Sequence, residues 1–567
     1  MPGFYITNCK PVLPVNQTSA PCVRERMEIH GFTVCRNTRD QFLEDKLFVQ
    51  DETHVLVLEG VILNKKELLS RFGVQSLLDA VKHMIQKDPD SFYQAFRGMF
   101  SGAVYFVKEK RWVIFADHIA NRAVFYYWDG QRMIVGSQLN YVTDTMKHNG
   151  IRRTVDHNGV RQFLSYGCFM DDSTLMQEVK RILPGDYICI QEDTLSSHTY
   201  YRLPEEEKPD ITDEEAVALL DQKFRQAMKR ALDKNEEYGY TGLLDISGGA
   251  DSRMNAYVAR ALGSQNEIMV HYSQSGSNEE LISKGIAHEL GFEYYYNALD
   301  DALFLKDLDE IIAMNSGTGY YSGITGGKRL LHQLSGKPLG IEFTGLLGDV
   351  YDGAMITSDG DCPPSLDYTR YCFTSVGKVD INTVGRFQTN NAFWLYTRGI
   401  LCGMSTFFTR QNYAEPYTPH GDVDFLEACA SIPWKRRVED RLQLKWLAKC
   451  YPDAMNHQYA ATGMRLGLEF HPMAPLLRKY NAAKNLISYK RKGVSRFNMN
   501  PFAFWEKEKT WVRAFLDDNY RVNMERLRKS DLIDDELYET IKQTYEQGGL
   551  VKYVVLSLLS ALKQFVL

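Results

Sequence analysis

The segment Gly242-Leu-Leu-Asp-Ile246, followed by Ser247-Gly248-Gly249-Ala250-Asp251-Ser252, decides the fold of this chain. An apolar strand runs into two glycines and an acid, and residues 253–262 then have the composition of a helix. Glycines let the backbone approach an oxyanion closely, and the N–H groups at the start of a helix attract a pyrophosphate. Asp251 would repel a bare phosphate but suits a Mg²⁺ ion on a triphosphate. The segment therefore predicts a nucleotide pocket.

The composition is that of an ordinary globular protein. The chain has 567 residues, enough for two or three domains, with 44% hydrophobic and 24% charged residues. Its net charge of −6 gives no electrostatic reason to bind nucleic acid, so we predict no nucleic-acid partner. The ten cysteines have no paired spacing, and we interpret them as reduced thiols of a cytoplasmic protein.

The sequence also predicts no membrane segment. The first residues, Met1–Tyr5, lack the basic region and apolar core of a signal peptide. The apolar stretch Gly549–Leu567 is interrupted by Lys552 and Lys563, and its longest uninterrupted run is too short to span a bilayer. We interpret this stretch as a buried terminal helix and predict no membrane partner.

The first 205 residues contain short β-type runs separated by turn residues. This pattern is typical of a mostly antiparallel, layered α+β domain. The runs are His54–Glu59, Ser101–Val107, Trp112–Ala116, Ala123–Trp128, Met133–Val135 and Tyr187–Ile190. A charged, proline-bracketed linker, Pro204–Pro209, follows them and predicts the domain boundary.

The rest of the chain has a different pattern. Thr212 is a suitable N-cap for a long amphipathic helix that opens at Asp213. Strand and helix patterns then alternate to about residue 350, which predicts a parallel sheet with the glycine motif at the carboxyl end of its first strand. After residue 380 the chain is mainly helical. Residues 484–510, with the basic run Lys490–Lys492, are predicted to form a solvated loop region.

Seven further segments support a family resemblance, and they are Phe96–Ala103, Asp117–Tyr127, Thr174–Gly185, Ser277–Gly291, Thr344–Asp349, Pro419–Pro433 and Lys445–Lys449. In their order and spacing along nearly the whole chain they resemble the asparagine synthetase family. The resemblance implies a degenerate Ntn-amidotransferase-like α+β domain over residues 1–205. It also implies an α/β parallel-sheet synthetase domain of the adenine nucleotide α-hydrolase-like (PP-loop) class over residues 206–567, with a helical C-terminal part.

The resemblance also implies a reaction. A carboxylate is adenylated by ATP and then forms an amide with an amine or ammonia, releasing AMP and pyrophosphate. Positioning and charge neutralisation do most of this work. Asp251 and Asp349 would share Mg²⁺, and Asp349 is also a candidate catalytic residue. The other implied nucleotide-binding residues are Ser247, Gly248, Gly249, Ser252 and Gly345.

The glutaminase half departs from the family pattern. Glutamine-dependent members begin, after removal of the initiator methionine, with a cysteine whose thiol and amine act as nucleophile and base. Pro2 stands in that place, and the oxyanion Asn-Gly pair is Glu59-Gly60. We therefore predict a domain without glutaminase activity. Nitrogen would come from free ammonia, a separate amidase or biosynthetic partner, or an amine on the substrate.

The synthetase half departs as well. Leu346 replaces a family glutamate and Ala461 replaces a family lysine, while Arg465 is a candidate to supply the missing positive charge. Two hypotheses stay open. The first is a ligase acting on a small-molecule or peptide carboxylate, with ring closure, as in β-lactam synthetases and lasso-peptide cyclases, or amidation of a sugar acid. The second is a nucleotide-binding pseudoenzyme that serves as a scaffold. A homodimer is also left open.

Overall fold

Two antiparallel sheets stacked face to face form the N-terminal half of the protein. The computed structural model describes residues 2–12, 22–321, 326–351, 353, 355–356, 360–365, 371–468 and 471–567. The strands of this half are β1 Gly3–Thr7, β2 Cys22–Ile29, β3 Phe32–Arg39, β4 Leu47–Gln50, β5 His54–Ile62, β6 Gly98–Phe106, β7 Arg111–Ala116, β8 Phe125–Trp128, β9 Met133–Gly136, β10 Val179–Arg181, β11 Asp186–Gln191 and β12 Thr194–Thr199. Each of the six predicted runs overlaps one of these strands, although Val107, Ala123 and Val124 lie outside them.

The strand order explains the layers. One sheet has the order β10-β8-β9-β1-β3-β2 and the other β12-β11-β7-β6-β5-β4. Alternate residues face opposite sides: Phe4 and Ile6 pack between the sheets, whereas Tyr5 packs outward. The outer faces are covered by α3 Leu139–His148 and α4 His157–Tyr166 on one sheet and by α1 Lys65–Phe72 and α2 Leu77–Lys87 on the other. The predicted layered α+β domain is confirmed.

The linker Pro204–Pro209 between the two halves is held by hydrogen bonds to the C-terminal half. The Glu205 carboxylate accepts hydrogen bonds from the backbone N–H groups of Gln388 and Thr389, at 3.1 and 3.0 Å. The Glu207 carboxylate accepts one from the N–H of Trp434 at 2.8 Å. The next helix, α5 Asp213–Tyr238, begins with the predicted Thr212 cap, as a capping box with Glu215.

A parallel sheet forms the core of the C-terminal half, as predicted. Its strands are β13 Thr241–Asp245, β14 Glu267–Ser273, β15 Glu293–Ala298, β16 Leu339–Phe343 and β17 Glu415–Tyr417. They lie in the order β15-β14-β13-β16-β17, and every neighbouring pair is parallel. The chain leaves β13 in one direction and returns to its other side at β16, so the order reverses between these two strands. Such a reversal opens a crevice at the carboxyl ends of the strands.

Helices surround this sheet and fill the rest of the chain. They are α6 Ala250–Ala261, α7 Asn278–Leu290, α8 Leu308–Met314, α9 Gly326–Leu334, α10 Gly348–Tyr351, α11 Asn390–Trp394, α12 Ser405–Arg410, α13 Val423–Ser431, α14 Trp434–Arg437, α15 Arg441–Cys450, α16 Ala474–Lys492, α17 Phe502–Glu508, α18 Thr510–Lys529, α19 Asp535–Glu546 and α20 Leu550–Ala561. The prediction of a loop over residues 484–510 is wrong in part, because α16 and α17 occupy much of that range. The sequence signal for α16 was weak because lysines such as Lys479, Lys484 and Lys490 interrupt the apolar positions, so the segment has no clear helical period.

The apolar C-terminal stretch is buried, as predicted. Leu556, Leu558 and Ala561 of α20 have no exposed surface and join the apolar cluster that also contains Phe163 and Leu164 of α4. In the described part of the chain, no helix is both long and apolar enough to cross a membrane.

The prediction that all ten cysteines are free thiols is wrong for one pair. Cys168 and Cys402 form a disulfide, with their Cα atoms 5.5 Å apart. The two residues are separated by 234 positions in the sequence, so no local spacing could have indicated the pairing. The bond links the N-terminal half to the helical part of the C-terminal half.

A buried carboxylate also joins the halves. Glu415 of β17 forms an ion pair with Arg122, and both side chains are at most 5% exposed. Burial by itself raises the pKa of Glu415, but the positive charges of Arg122, Lys46 and Arg39 outweigh it and hold that pKa below its ordinary value. The guanidinium of Arg39 also donates to the carbonyl oxygen of Tyr413 at 2.6 Å. The contact therefore depends on a negative charge surrounded by cations.

We expect Glu415→Gln to lower the free energy of unfolding by about 3–5 kcal/mol, because it leaves buried cations without their counter-charge. Since the Glu415 pKa is depressed in the fold, this stabilisation is present above the ordinary pKa of 4.5 and is lost as the pH falls below it. Urea denaturation measures the effect. Glu525→Gln is the control, since the Glu525–Lys529 pair is exposed and should contribute nothing measurable. Equal midpoints for both variants would contradict the expectation.

Candidate functional site

A cavity of about 290 Å³ lies at the carboxyl ends of β13 and β16, where the strand order reverses. The loop after β13 contributes Ser247, Gly249 and Asp251 to its wall, and the loop after β16 contributes Gly345 and Leu346. The two sequence motifs predicted to bind a nucleotide therefore meet at one place. The other described residues that line the cavity are Asp245, Ile246, Ser252, Val270, His271, Tyr272, Thr344, Thr406, Phe407, Arg410 and Met499.

The loop after β13 is held by its two serines. The N–H of Ser247 donates to the Ser252 hydroxyl at 3.0 Å, and the two hydroxyl oxygens are 2.8 Å apart. The N–H of Gly249 donates to the Ser247 hydroxyl at 3.2 Å. Gly249 is the N-cap of α6 and supplies no side-chain cap, so the first turn of this 12-residue helix keeps its positive end toward the loop. This is the geometry of an anion-binding turn.

Three glycines allow the loops to touch. A Cβ on Gly345 would lie 2.7 Å from the Ser252 nitrogen, and one on Gly348 would lie 2.1 Å from the Asp251 carboxyl carbon. A Cβ on Gly248 would lie 2.4 Å from the Cβ of Ala460. Any side chain at these positions would separate the segments. The pattern of glycines in the sequence thus reflects close contact between distant segments.

The two predicted metal ligands are placed differently. Asp251 lines the cavity, and its Oδ1 accepts a hydrogen bond from the Gln443 amide at 2.5 Å. Asp349 lies in the first turn of α10 and is exposed, next to the glycine that touches Asp251. Asp349 is not one of the described residues that line the cavity. The Asp251 carboxylate and the Ser247 and Ser252 hydroxyls are oxygen ligands of the kind that Mg²⁺ accepts together with phosphate oxygens. Among the described residues, no cluster of three or more His, Cys, Asp or Glu side chains could hold a metal ion by itself, so the donor set fits Mg²⁺ only as an ion shared with a bound phosphate.

Glu279 is a further acid at this site. The N–H of Gly248 donates to its carboxylate at 2.5 Å. Burial raises the pKa of Glu279, against the opposing effects of that hydrogen bond and of Arg253. A phosphate oxygen bound to the Gly248 N–H would have to replace this carboxylate. Glu279 lies in the segment Ser277–Gly291 of the family resemblance, but the sequence gave no indication of this contact.

The segment after α15 packs under the glycine loop. The fully buried Arg253 donates to the carbonyl oxygens of Ala454, at 2.8 Å, and of Gln458, at 2.7 Å. Ala461 and Arg465, which follow in this segment, are both exposed. Neither is among the described residues that line the cavity. The proposal that Arg465 supplies a missing charge therefore needs this segment to move.

Sequence reasoning missed the charged group below the cavity. Arg410 donates to Asp245 and to the Tyr272 hydroxyl, both at 2.8 Å, and also contacts Glu342. Burial raises the pKa of Glu342 well above its ordinary value, against the opposing effect of Arg410, so the fold favours the protonated form of this carboxyl more than water does. His271 lies beside the group, and burial lowers its pKa to about 4. The sequence did contain a signal: each of two apolar strands carries one acid, Asp245 in β13 and Glu342 in β16.

The predicted degenerate glutaminase residues lie in the N-terminal half. Pro2 is buried, and its carbonyl oxygen accepts a hydrogen bond from the Gln138 amide at 3.4 Å. Glu59 is 1% exposed and accepts a hydrogen bond from the Thr38 hydroxyl at 2.7 Å. Its other oxygen has no hydrogen-bond partner among the described residues. An acid is thus buried where a glutaminase of the resembled family places an amide.

Comparison with known proteins supports the fold predicted for the N-terminal half. Residues 43–201 match the glutamine amidotransferase domain family. The matched range begins after Pro2, so it carries no information on the nucleophile. No curated protein matches the chain at a significant level. The N-terminal half is therefore a glutamine amidotransferase-like domain, and the parallel sheet lies outside the matched range.

Two solved structures align weakly. One is the glutamine phosphoribosylpyrophosphate amidotransferase of B. subtilis complexed with ADP and GMP, at 11% identity and a TM-score of 0.22 over 47% of this chain and 51% of that one. The other is described as the allosteric regulatory enzyme of purine biosynthesis, at 9% identity and a TM-score of 0.22 over 47% of this chain and 66% of that one. The chain thus spans between half and two thirds of their length. At these TM-scores neither alignment bears on the activity of this chain.

The raised pKa of Glu342 predicts a pH effect on stability. The unfolded chain loses the Glu342 proton near the ordinary pKa of 4.5 and the folded chain loses it at a higher pH, so wild-type stability falls as the pH rises above about 4.5. We therefore expect Glu342→Gln to gain stability relative to wild type between about pH 5 and about pH 8. Urea denaturation at both pH values measures this. Asp245→Asn is the control, since removing the Arg410 counter-charge should destabilise at both. A constant difference for Glu342→Gln would contradict the expectation.

Proposed function

We propose that this protein is an ATP-dependent ligase that adenylates a carboxylate and then forms an amide. The observation that carries the proposal is the contact between the two loops at the strand-order reversal, beside an uncapped helix N-terminus. The N-terminal amidotransferase-like domain supports chemistry that makes an amide bond. Membership of the asparagine synthetase family and of the PP-loop class is part of the same proposal.

The residues would act mainly by binding and orientation. Ser247, Gly249 and Ser252 would hold the pyrophosphate at the start of α6, and Gly345 would let the second loop approach it. A substrate carboxylate oxygen attacks the α-phosphorus of ATP, forming an acyl-adenylate and releasing pyrophosphate. The amine then attacks the acyl carbon, and AMP leaves with its bonding electrons. The amine gives up a proton as the amide forms, and the charge on the phosphates develops near the N-terminus of α6.

Mg²⁺ would neutralise the triphosphate charge during this transfer. Asp251 is the residue best placed to hold the ion, because its carboxylate lines the cavity. Asp349 would take part after a small movement of the exposed first turn of α10. Leu346 lines the cavity where the resembled family has a glutamate, so the substrate-facing wall is less acidic here. Leu346 offers no counter-charge to the ammonium group of a free amino acid, so this wall favours a substrate other than free aspartate.

A pseudoenzyme is the second proposal, and one contact favours it. The carboxylate of Glu279 occupies the N–H of Gly248, which a pyrophosphate would otherwise use. If Glu279 keeps that position, the loop binds nucleotide in part or not at all, and the protein would act as a scaffold. Exchange of radioactive pyrophosphate into ATP, with a library of carboxylic acids, separates the two proposals. Nucleotide binding without exchange would favour the scaffold.

We expect Gly248→Ala to lower ATP–pyrophosphate exchange by at least about tenfold, because its Cβ would lie 2.4 Å from Ala460. The matched control is Gly336→Ala, where a Cβ meets nothing within 4 Å. Asp251→Asn should reduce exchange as well and raise the Mg²⁺ concentration needed for half of the maximal rate. Thermal unfolding checks that the variants remain folded. Exchange by Gly248→Ala at the wild-type rate would exclude the loop as the nucleotide site.

The protein should release no glutamate from glutamine, because Pro2 has no thiol and Glu59 places an acid where an amide would bind an oxyanion. Free ammonia or an amine substrate should support amide formation instead. Measured glutamate release, with heat-inactivated protein as the control, checks the first point. Release that rises with protein concentration and falls in Cys22→Ser would show an active thiol elsewhere in this domain.

A further inference from the structure

The helix α16 turns its apolar side to solvent. Leu476 and Tyr480 are each 62% exposed and Ile487 is 56% exposed. Leu486 and Tyr489, on the same outward half of the helix, are each 52% exposed. Scattered single apolar residues are normal on a protein surface, but five large apolar side chains exposed on one helix mark an interaction site.

The side of α16 that contacts the protein carries two asparagines next to the half-buried Leu477. The Asn481 amide donates to the carbonyl oxygen of Thr462 at 3.0 Å. The Asn485 side-chain oxygen accepts hydrogen bonds from the Ser495 hydroxyl and the Arg496 N–H, both at 3.1 Å. An ordinary surface helix buries most of its large apolar residues. Because α16 leaves five of them exposed, we infer that something else covers them.

The breadth of this face limits what can cover it. At 100° per residue, the exposed apolar positions from Leu476 to Tyr489 spread over roughly half of the helix circumference. A partner helix in a coiled coil needs only a narrow seam of two positions per heptad. A flat apolar medium contacts a wider arc. The distribution therefore favours the interfacial region of a lipid bilayer over a single partner helix.

The charge of α16 indicates which kind of surface it would bind. Residues 474–492 contain six basic residues and no acidic one, in a chain whose net charge is −6. Two copies of the helix would repel each other, whereas an anionic surface would attract it. Lys479 and Lys490 lie beside the apolar residues, and their long side chains can reach outward past an apolar layer to headgroups. Tyrosines such as Tyr480 and Tyr489 are enriched at membrane–water interfaces.

We propose that α16 docks the protein on the surface of an anionic lipid bilayer. The helix lies in the interface with its apolar residues among the outer acyl carbons and its basic residues near the headgroups. This revises the sequence-based prediction of no membrane partner and does not depend on the proposed function. The helix is also connected to the candidate site: its Asn481 holds Thr462, two residues after the Ala460 that packs on Gly248. Docking therefore brings that site close to the bilayer.

Sedimentation of the full chain with lipid vesicles tests the proposal. We expect binding to phosphatidylcholine vesicles containing about 30% phosphatidylserine and little binding to pure phosphatidylcholine, because the attraction depends on anionic headgroups. Binding should weaken as the salt concentration rises, since salt screens that attraction. ATP–pyrophosphate exchange is not part of this readout, so failure of the ligase proposal leaves the result unaffected.

Two double variants separate the apolar and charged contributions. Leu476→Ser with Ile487→Ser should lower vesicle affinity by at least about tenfold, because both side chains lose their burial in the lipid. Lys479→Gln with Lys490→Gln should lower it about 25-fold, at about fivefold for each charge removed. The apolar control is Leu303→Ser with Leu550→Ser, which are 39% and 42% exposed outside α16. The charge control is Lys66→Gln with Lys378→Gln, whose side chains are 69% and 76% exposed.

Four results would overturn the proposal. The first is no sedimentation with anionic vesicles, and the second is equal affinity of the Leu476→Ser/Ile487→Ser variant and wild type. The third is a dimer in light scattering that this variant abolishes, which would assign the face to a second copy of the chain. The fourth is binding of polyglutamate through α16 without vesicle binding, which would assign it to an acidic protein segment. Unchanged thermal unfolding of the variants shows that a loss of binding is not a loss of fold.

Discussion

The site depends on one constraint: two loops must touch where the strand order reverses. Gly345 and Gly348 after β16 meet Ser252 and Asp251 after β13 at distances that leave no room for a Cβ. Because parallel strands end at the same edge of a sheet, this contact brings an uncapped helix N-terminus and an acid to a single cavity. The buried Arg253 then fixes the segment before Ala460 beneath the loop through backbone carbonyls. Chemistry here would rest on backbone geometry more than on reactive side chains.

The two halves form one structural unit through polar as well as apolar contacts. Glu415 lies on β17, the edge strand of the parallel sheet. Its negative charge is balanced by Arg122, Lys46 and Arg39 from the amidotransferase-like half. The disulfide between Cys168 and Cys402 and the two anchored glutamates of the linker add further connections. If this half hydrolyses no glutamine, as proposed, such an arrangement would retain it for its packing. The interface thus gives a physical reason for its persistence.

Much of the architecture could be predicted from local pattern. The alternating runs gave six strands, Thr212 marked the start of α5, and the glycine motif marked the end of β13. Contacts between distant residues were not accessible in this way. The three-residue strand β17 has no pattern of its own and exists because it pairs with β16. The Arg410–Glu342 contact and the disulfide join residues that only the fold brings together. The second half of α16 was predicted as a loop because lysines interrupt its apolar positions.

The burial of α20 has a consequence for biosynthesis. This helix packs against α4 of the amidotransferase-like half, although almost the whole C-terminal half lies between them in the sequence. While the ribosome is still translating, the apolar surface around Phe163 and Leu164 therefore has no cover. Chaperones that bind nascent apolar surfaces would have a natural target there until the last helix emerges.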